Sequence, residues 1–224
     1  MKLNQNTVDT LKNFSEINTN ILIKEGNELS TISTMRNIFA KATITESFEK
    51  EFGVYDLNQF LSVVSSLNKP ELNLQDKFMT IASEGSKSKV KYFYSDPSVI
   101  VAPTKEVNMP EADVTFSLTE SNLKELLKMA AILATPDLAL VGEKGGDVVL
   151  KVCDKKNDTS NNFDIVVGEN ATADYTFYFK VENMKMISGD YDVSVSSKSI
   201  SHFKNTKLPI EYWIALEPDS NISK

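Results

Sequence analysis

Apolar residues along this chain follow two periods that take turns. Four short stretches space them three to four residues apart, as one face of a helix requires. Long runs between them alternate apolar and polar residues singly, as half-buried strands do. The first helix opens at Thr7, which can cap it, and turns Val8, Leu11, Phe14 and Ile17 inward. Asp9 sits in its first turn, where the helix dipole favours a carboxylate. The second follows Tyr55-Asp56 and buries Leu57, Phe60, Leu61, Val64 and Leu67. Its outward positions, Asn58, Gln59, Ser62, Ser65 and Ser66, are polar and uncharged. The third opens at Thr119, buries Leu123, Leu126, Leu127, Ala130 and Leu133, and shows Lys124, Glu125 and Lys128 to solvent. The fourth is short, Val181 to Ile187, and stops at the turn signal Ser188-Gly189-Asp190.

Strand patterns fill the intervals. Val90, Tyr92 and Tyr94 alternate with Lys89, Lys91 and Phe93, and Tyr175, Phe177 and Phe179 with Thr176, Tyr178 and Lys180. Gly145-Gly146 joins two apolar runs as a hairpin, and Gly26-Asn27 reads as a second hairpin turn after Ile21-Leu22-Ile23. Many strands with short turns imply antiparallel sheets, and a few amphipathic helices imply packing on one face of them. The fold class is α+β. Helix-strands-helix-strands occurs twice, and Thr119 lies 112 residues after Thr7, half of the 224. Two domains follow: residues 1–95 and 112–224, joined by a connector at 96–111. That connector holds Pro97, Pro103 and Pro110 around Val99-Ile100-Val101-Ala102, and proline cannot donate to a strand ladder.

Composition narrows the class. A 41% apolar fraction supplies a core. The opening residues are polar and no run is long and apolar enough for a membrane span, so the chain is expected to be soluble and intracellular. One cysteine, Cys153, excludes an internal disulfide framework. Net charge is −7; residues 1–111 carry 12 basic against 14 acidic side chains, the rest 12 against 17. Such a surface does not wrap nucleic acid unspecifically, though it leaves room for a basic strip on one face.

Candidate chemistry is sparse. His202 is the only histidine and lies in a polar, serine-rich strand pattern, read as a surface or edge position. There is no CxxC for zinc. Asp154, Asp158 and Asp164 lack the glycine and closing glutamate of a calcium loop. Gly142 to Gly146 lies between strands and lacks phosphate-loop spacing. Met184 and Met186 read as packing residues. No catalytic residue, metal or cofactor is expected, and a duplicated scaffold without them suits a device that holds something.

An ordered set of segments carries a resemblance. Met1-Lys2-Leu3 runs into Leu11-Lys12-Asn13-Phe14. Tyr55-Asp56-Leu57-Asn58 follows, then Asp96-Pro97-Ser98 with Val101-Ala102-Pro103, Asn183-Met184-Lys185-Met186, Gly189-Asp190-Tyr191 and finally Ala215-Leu216-Glu217. In this order and spacing the chain resembles the sliding clamps of T4-type bacteriophages, the DNA polymerase processivity factors, from residue 1 to about 220. Residues 68–90 and 154–174 match poorly, and nothing is carried over there. The resemblance implies two similar clamp domains per chain, each with two helices on antiparallel sheets. Three chains then form a six-domain ring around duplex DNA, helices inside, closed by pairing of edge strands. It implies sequence-independent DNA contact, for which the outward lysines Lys12, Lys124, Lys128 and Lys185 are the candidates. It also implies docking of a C-terminal peptide of the polymerase beside the connector and last strand, at Val99, Val101, Ala102, Pro103, Leu216 and Pro218. A clamp loader, late-transcription factors and the cytoplasm of an infected bacterial host complete the expectation. Two rival readings remain: a single-stranded-DNA-binding protein, using Tyr92, Tyr94, Tyr175 or Phe177 as a stacking platform, and a β-rich phage structural ring.

Overall fold

Asparagine, rather than threonine, starts the first helix. The computed structural model describes residues 1–223 and divides the chain into two compact units, Met1–Glu106 and Val107–Lys224. The first unit runs α1 (Gln5–Ile17), β1 (Ile21–Ile23), β2 (Gly26–Ile32), β3 (Ile38–Phe48), β4 (Phe52–Val54), α2 (Leu57–Ser66), β5 (Pro70–Leu74), β6 (Phe78–Ser83) and β7 (Lys89–Phe93). Asn4 Oδ1 caps α1 by accepting from the Thr7 N–H at 2.8 Å. Thr7 is buried, and its hydroxyl donates to Glu46 Oε2 at 2.7 Å. Asn4, Gln5 and Asn6 are polar, so the apolar period hides the true start, although asparagine caps at least as well as threonine. Asp9 accordingly lies beyond the first turn.

Val8, Leu11, Phe14 and Ile17 are buried, as are Leu57, Phe60, Leu61 and Val64, and α1 packs against α2 and β3. Leu67 is the C-cap of α2 and half-buried. β1 pairs with β4, β2 with β3, and β5, β6 and β7 form a meander, all antiparallel. Gly26-Asn27 is no hairpin between β1 and β2, since those strands do not pair. Gly26 opens β2 opposite Phe48 at φ +105°, where the register shifts before Glu28. A bulge and a tight turn both demand glycine's positive φ, so the sequence signal does not separate them.

The second unit runs β8 (Val114–Leu118), α3 (Glu120–Leu133), β9 (Asp137–Gly142), β10 (Val148–Cys153), β11 (Phe163–Gly168), β12 (Tyr175–Lys180), β13 (Tyr191–Ser196), β14 (Ile200–Asn205), β15 (Ile210–Ala215) and β16 (Asn221–Ile222). Thr119 Oγ1 caps α3 by accepting from Asn122 N–H, and Leu123, Leu126 and Ala130 face β10 and β11. One sheet has the order β11-β10-β9-β12-β16; in a second layer β8, β13, β14 and β15 pair in that spatial order. The fourth expected helix is a correction. Only a single 3-10 turn, Val181–Asn183, forms, so this unit has one α-helix among the described residues. Seven residues are too few to offset helix nucleation. The chain must also bend at Gly189, where a Cβ would stand 2.4 Å from Asn205 Nδ2.

His202 is not a surface residue. It lies on β14, flanked by β13 and β15, with its ring stacked on Trp213 at a centroid distance of 4.5 Å and Nε2 2.7 Å from Glu211 Oε2.

Glu46, on β3, receives the Thr7 hydroxyl and also bonds the Asn4 N–H, tying the helix start to the sheet. Burial pushes its carboxyl up, but the hydrogen bonds from Asn4, Thr7 and Thr45 outweigh this and hold it below the ordinary value. A lowered folded-state pKa means stabilisation that is whole above the unfolded value, about 4.3, and lost as pH falls through the folded one. Glu46→Gln should therefore lower the urea midpoint at pH 7 and flatten its decline on acidification, measured by circular dichroism across pH 3 to 7.

Candidate DNA-facing and partner-binding surfaces

The exposed face of α2 is uncharged, while α1 and α3 carry lysines interleaved with carboxylates. On α2, Asn58, Gln59, Ser62, Ser65 and Ser66 are all exposed, and the Ser62 and Ser66 hydroxyls turn back to the Asn58 and Val63 carbonyls at 2.8 and 2.9 Å. Lys12 on α1 is about half exposed, with Asp9 3.8 Å from its Nζ. Lys124 and Lys128 stand one turn apart on α3, both exposed. Lys124 pairs with Glu120 one turn earlier. An exposed pair of this kind contributes a few tenths of a kcal/mol, about 0.3–0.5, and yields readily to a stronger anion. Lys128 has no ion pair among the described residues. Lys185 is exposed in the extended segment after the 3-10 turn.

The proline-rich stretch is anchored at its start to the first unit. Asp96 caps a 3-10 turn, Pro97–Val99, accepting from the Ser98 N–H at 2.8 Å; the Ser98 side chain and N–H hold its carboxyl below the usual range. Ser95 N–H donates to Gly53 O at 2.9 Å. A Cβ on Gly53 would stand 2.7 Å from Ser95 O and 3.1 Å from Ile100 Cγ1, so only glycine lets the chain lie this close to β4. Ile100 is buried. Val101 is held through its backbone: its N–H donates to Asn20 Oδ1 at 2.9 Å and its carbonyl accepts from Asn18 Nδ2 at 3.0 Å. The same Asn18 Nδ2 donates to Ile32 O at 2.9 Å. Val99 is 53% exposed, and Val101, Ala102 and Pro103 are half-buried. The units divide between Glu106 and Val107, inside the 96–111 stretch.

In the second unit Leu216 is buried and its N–H bonds Ser199 O at 3.1 Å, so it serves that unit's core, whereas Pro218 is exposed. A charge network that the sequence does not announce fixes this tail. Lys155 Nζ lies 3.2 Å from Glu217 and 2.7 Å from Asp219, over the Tyr178 ring; Lys180 Nζ lies 2.6 Å from the buried Asp137 and 3.7 Å from Glu217. Each member is an ordinary surface residue type, and contacts up to 64 residues apart leave no spacing signal.

Tyr175 and Phe177 are buried, and Tyr92 and Tyr94 pack edge-to-face on Phe60 and stacked on Phe52. The stacking platform that single-strand binding would need is not formed by them. Among the described residues no three His, Cys, Asp or Glu side chains gather as a metal site, and no helix is long and apolar enough to cross a membrane.

Two α+β units of antiparallel sheets with amphipathic helices on one face define a DNA-clamp architecture. The solved structure of A. fulgidus PCNA bound to the C-terminal region of FEN-1 superposes with a TM-score of 0.69 at 14% identity, over 96% of each chain, a likeness of fold. Residues 2–102 match the family model "DNA polymerase processivity factor" and residues 115–218 match "gp45 sliding clamp, C terminal". The sliding clamp of Vibrio phage KVP40 is 33% identical, covering 97% of this chain and 99% of the relative; that of Enterobacteria phage T4 is 28% identical, covering 98% of each. The chain belongs to this phage sliding-clamp family. Its function is the family's: it tethers DNA polymerase to duplex DNA for processive synthesis.

Gly53→Ala should force Ser95 and Ile100 outward and cost about 1–3 kcal/mol. The measurement is the urea midpoint, with hydrogen exchange at Val101 rising as its two side-chain hydrogen bonds loosen.

Proposed function

We propose that three copies of this chain close into a six-domain ring that encircles the duplex and acts without catalysis. The observation that carries this reading is a pair of complementary open edges. β7 ends one sheet of the first unit and exposes Val90 and Phe93, the latter 62%. Lys87, Lys89 and Lys91 are exposed beside them. β11 ends a sheet of the second unit and exposes Val166, with Asp164 and Glu169 exposed nearby. Unpaired edges of this kind invite strand addition, and a head-to-tail contact that closes makes a ring. Apolar side chains meeting at its centre, with lysines opposite aspartate and glutamate, would give the joint both adhesion and register.

Within the ring, Lys12, Lys124, Lys128 and Lys185 supply a sparse set of phosphate contacts. Such contacts are independent of sequence and individually weak, so the clamp is centred without being stopped. The neutral face of α2 adds no repulsion. Partners dock an apolar peptide on Val99, Val101, Ala102 and Pro103; the PCNA of similar fold is likewise bound by the C-terminal region of a partner, FEN-1. The polymerase, an ATP-driven clamp loader and late-transcription factors are the partners, in the cytoplasm of an infected bacterium.

Light scattering should give a native mass near three times the 25.0 kDa monomer. Phe93→Asp should reduce it to one chain, and Lys89→Glu with Lys91→Glu should weaken the trimer unless Asp164→Lys is added. A monomer for the unaltered protein at every concentration sinks the ring.

Reversing charge at Lys124 and Lys128 together should leave trimer mass and melting temperature unchanged while shortening retention on nicked circular DNA. The log–log slope of retention against salt should become shallower by about 0.9 for each phosphate that is no longer neutralised. Equal retention removes these lysines from the DNA path.

A further inference from the structure

The turn between β2 and β3 presents the chain's one arginine beside a nearly bare methionine. Met35 is 82% exposed. Arg36 follows at φ +57°, its N–H donating to Ser33 O at 2.8 Å. The Ser33 hydroxyl donates to Asn37 Oδ1 at 2.6 Å and accepts from the Asn37 and Ile38 N–H groups at 3.1 Å, so the turn is held on both sides. Glycine or asparagine takes up a left-handed position with less steric conflict than arginine. An arginine kept there against backbone preference, with no carboxylate pairing it among the described residues, points to a use for its side chain.

Its neighbourhood names that use. Asn18 Nδ2 bonds Ile32 O and Val101 O together, so the end of β2 and the apolar connector share one side chain. Four residues beyond Ile32, at no more than about 3.5 Å each, Arg36 stays within roughly 14 Å of that bond. An exposed thioether and a guanidinium within that reach of the connector match a peptide with apolar anchors and a carboxylate, which arginine can hold by two parallel hydrogen bonds. A DNA phosphate would satisfy Arg36 and leave Met35 without a role.

We propose that Met35 and Arg36 form the outer wall of the peptide site on Val99–Pro103, and that Arg36 selects partner peptides by a carboxylate. This rests on the peptide-docking reading above. The probes are a synthetic C-terminal peptide of the phage's own DNA polymerase and the same peptide with its terminal carboxylate amidated and acidic side chains replaced by amides. Binding is measured by calorimetry. The unaltered clamp should prefer the acidic peptide by roughly tenfold, the worth of one charged hydrogen-bonded contact. Arg36→Gly should erase that preference while matching or raising the melting temperature, and Arg36→Lys should keep part of it. Undiminished discrimination by Arg36→Gly overturns the proposal, as does a loss of DNA retention with peptide affinity unchanged. Val101→Glu separates the two layers. If it abolishes binding of both peptides while Arg36→Gly changes nothing, the site stands and the arginine's role falls. If Val101→Glu changes nothing either, the docking reading falls and takes this one with it.

Discussion

A β-sheet ends in a row of unpaired amides and carbonyls, and how each edge is dealt with governs everything else about this chain. In the first unit, the outer edge of β5 is covered from within: Met1 O accepts from Leu72 N–H at 2.8 Å and the amino terminus donates to Leu72 O at 2.6 Å. β7, at the other end of that meander, carries lysines and an exposed phenylalanine, with Lys91 Nζ 4.0 Å from the Phe78 ring centroid and 4.8 Å from that of Phe93. Charge on an edge is a usual guard against promiscuous pairing. The proposed ring gives the same lysines a second use, since the open edge of β11 is acidic.

Charge is distributed to the same end across the surface. The chain is acidic overall, yet α2 shows a wholly neutral face and Lys128 on α3 stands without an ion pair among the described residues. For the proposed DNA path, weak, separate contacts exchange one phosphate for the next with little change in energy, whereas a dense basic stripe would fix a position. The proline-rich connector follows the opposite logic. Two asparagines grip Val101 through its backbone while Val99 stays exposed, and at the proposed docking site such a preset shape lowers the ordering cost of binding a peptide.

How much of the molecule is legible in its sequence depends on the range of the interaction. The buried faces of α1, α2 and α3 follow from local periodicity, and so does the cap at Thr119. Local ambiguity accounts for two of the differences: polar Asn4 to Asn6 mask the start of α1, and Gly26 signals positive φ without saying whether turn or bulge requires it. The stretch at Val181 has helical spacing, but its length and the close approach at Gly189 leave only one turn. Long-range features are illegible. The Asp137–Lys180–Glu217–Lys155–Asp219 network joins four separate segments, and the Asn18 bridge spans 83 residues to Val101. For the surfaces, the sequence indicates which residue types are candidates, while their exposure and their neighbours require coordinates. Arg36 does not stand out in the sequence because an arginine in a polar turn carries no periodic signal.

The stacked rings of His202 and Trp213 have an optical consequence. The chain holds one histidine and one tryptophan, and they lie face to face on adjacent strands. An excited indole is sensitive to a ring stacked on its face, so the spacing of these two strands is written into the protein's only tryptophan fluorescence. The second unit therefore contains its own dye, and any distortion of that sheet would change the light it emits without a label being attached.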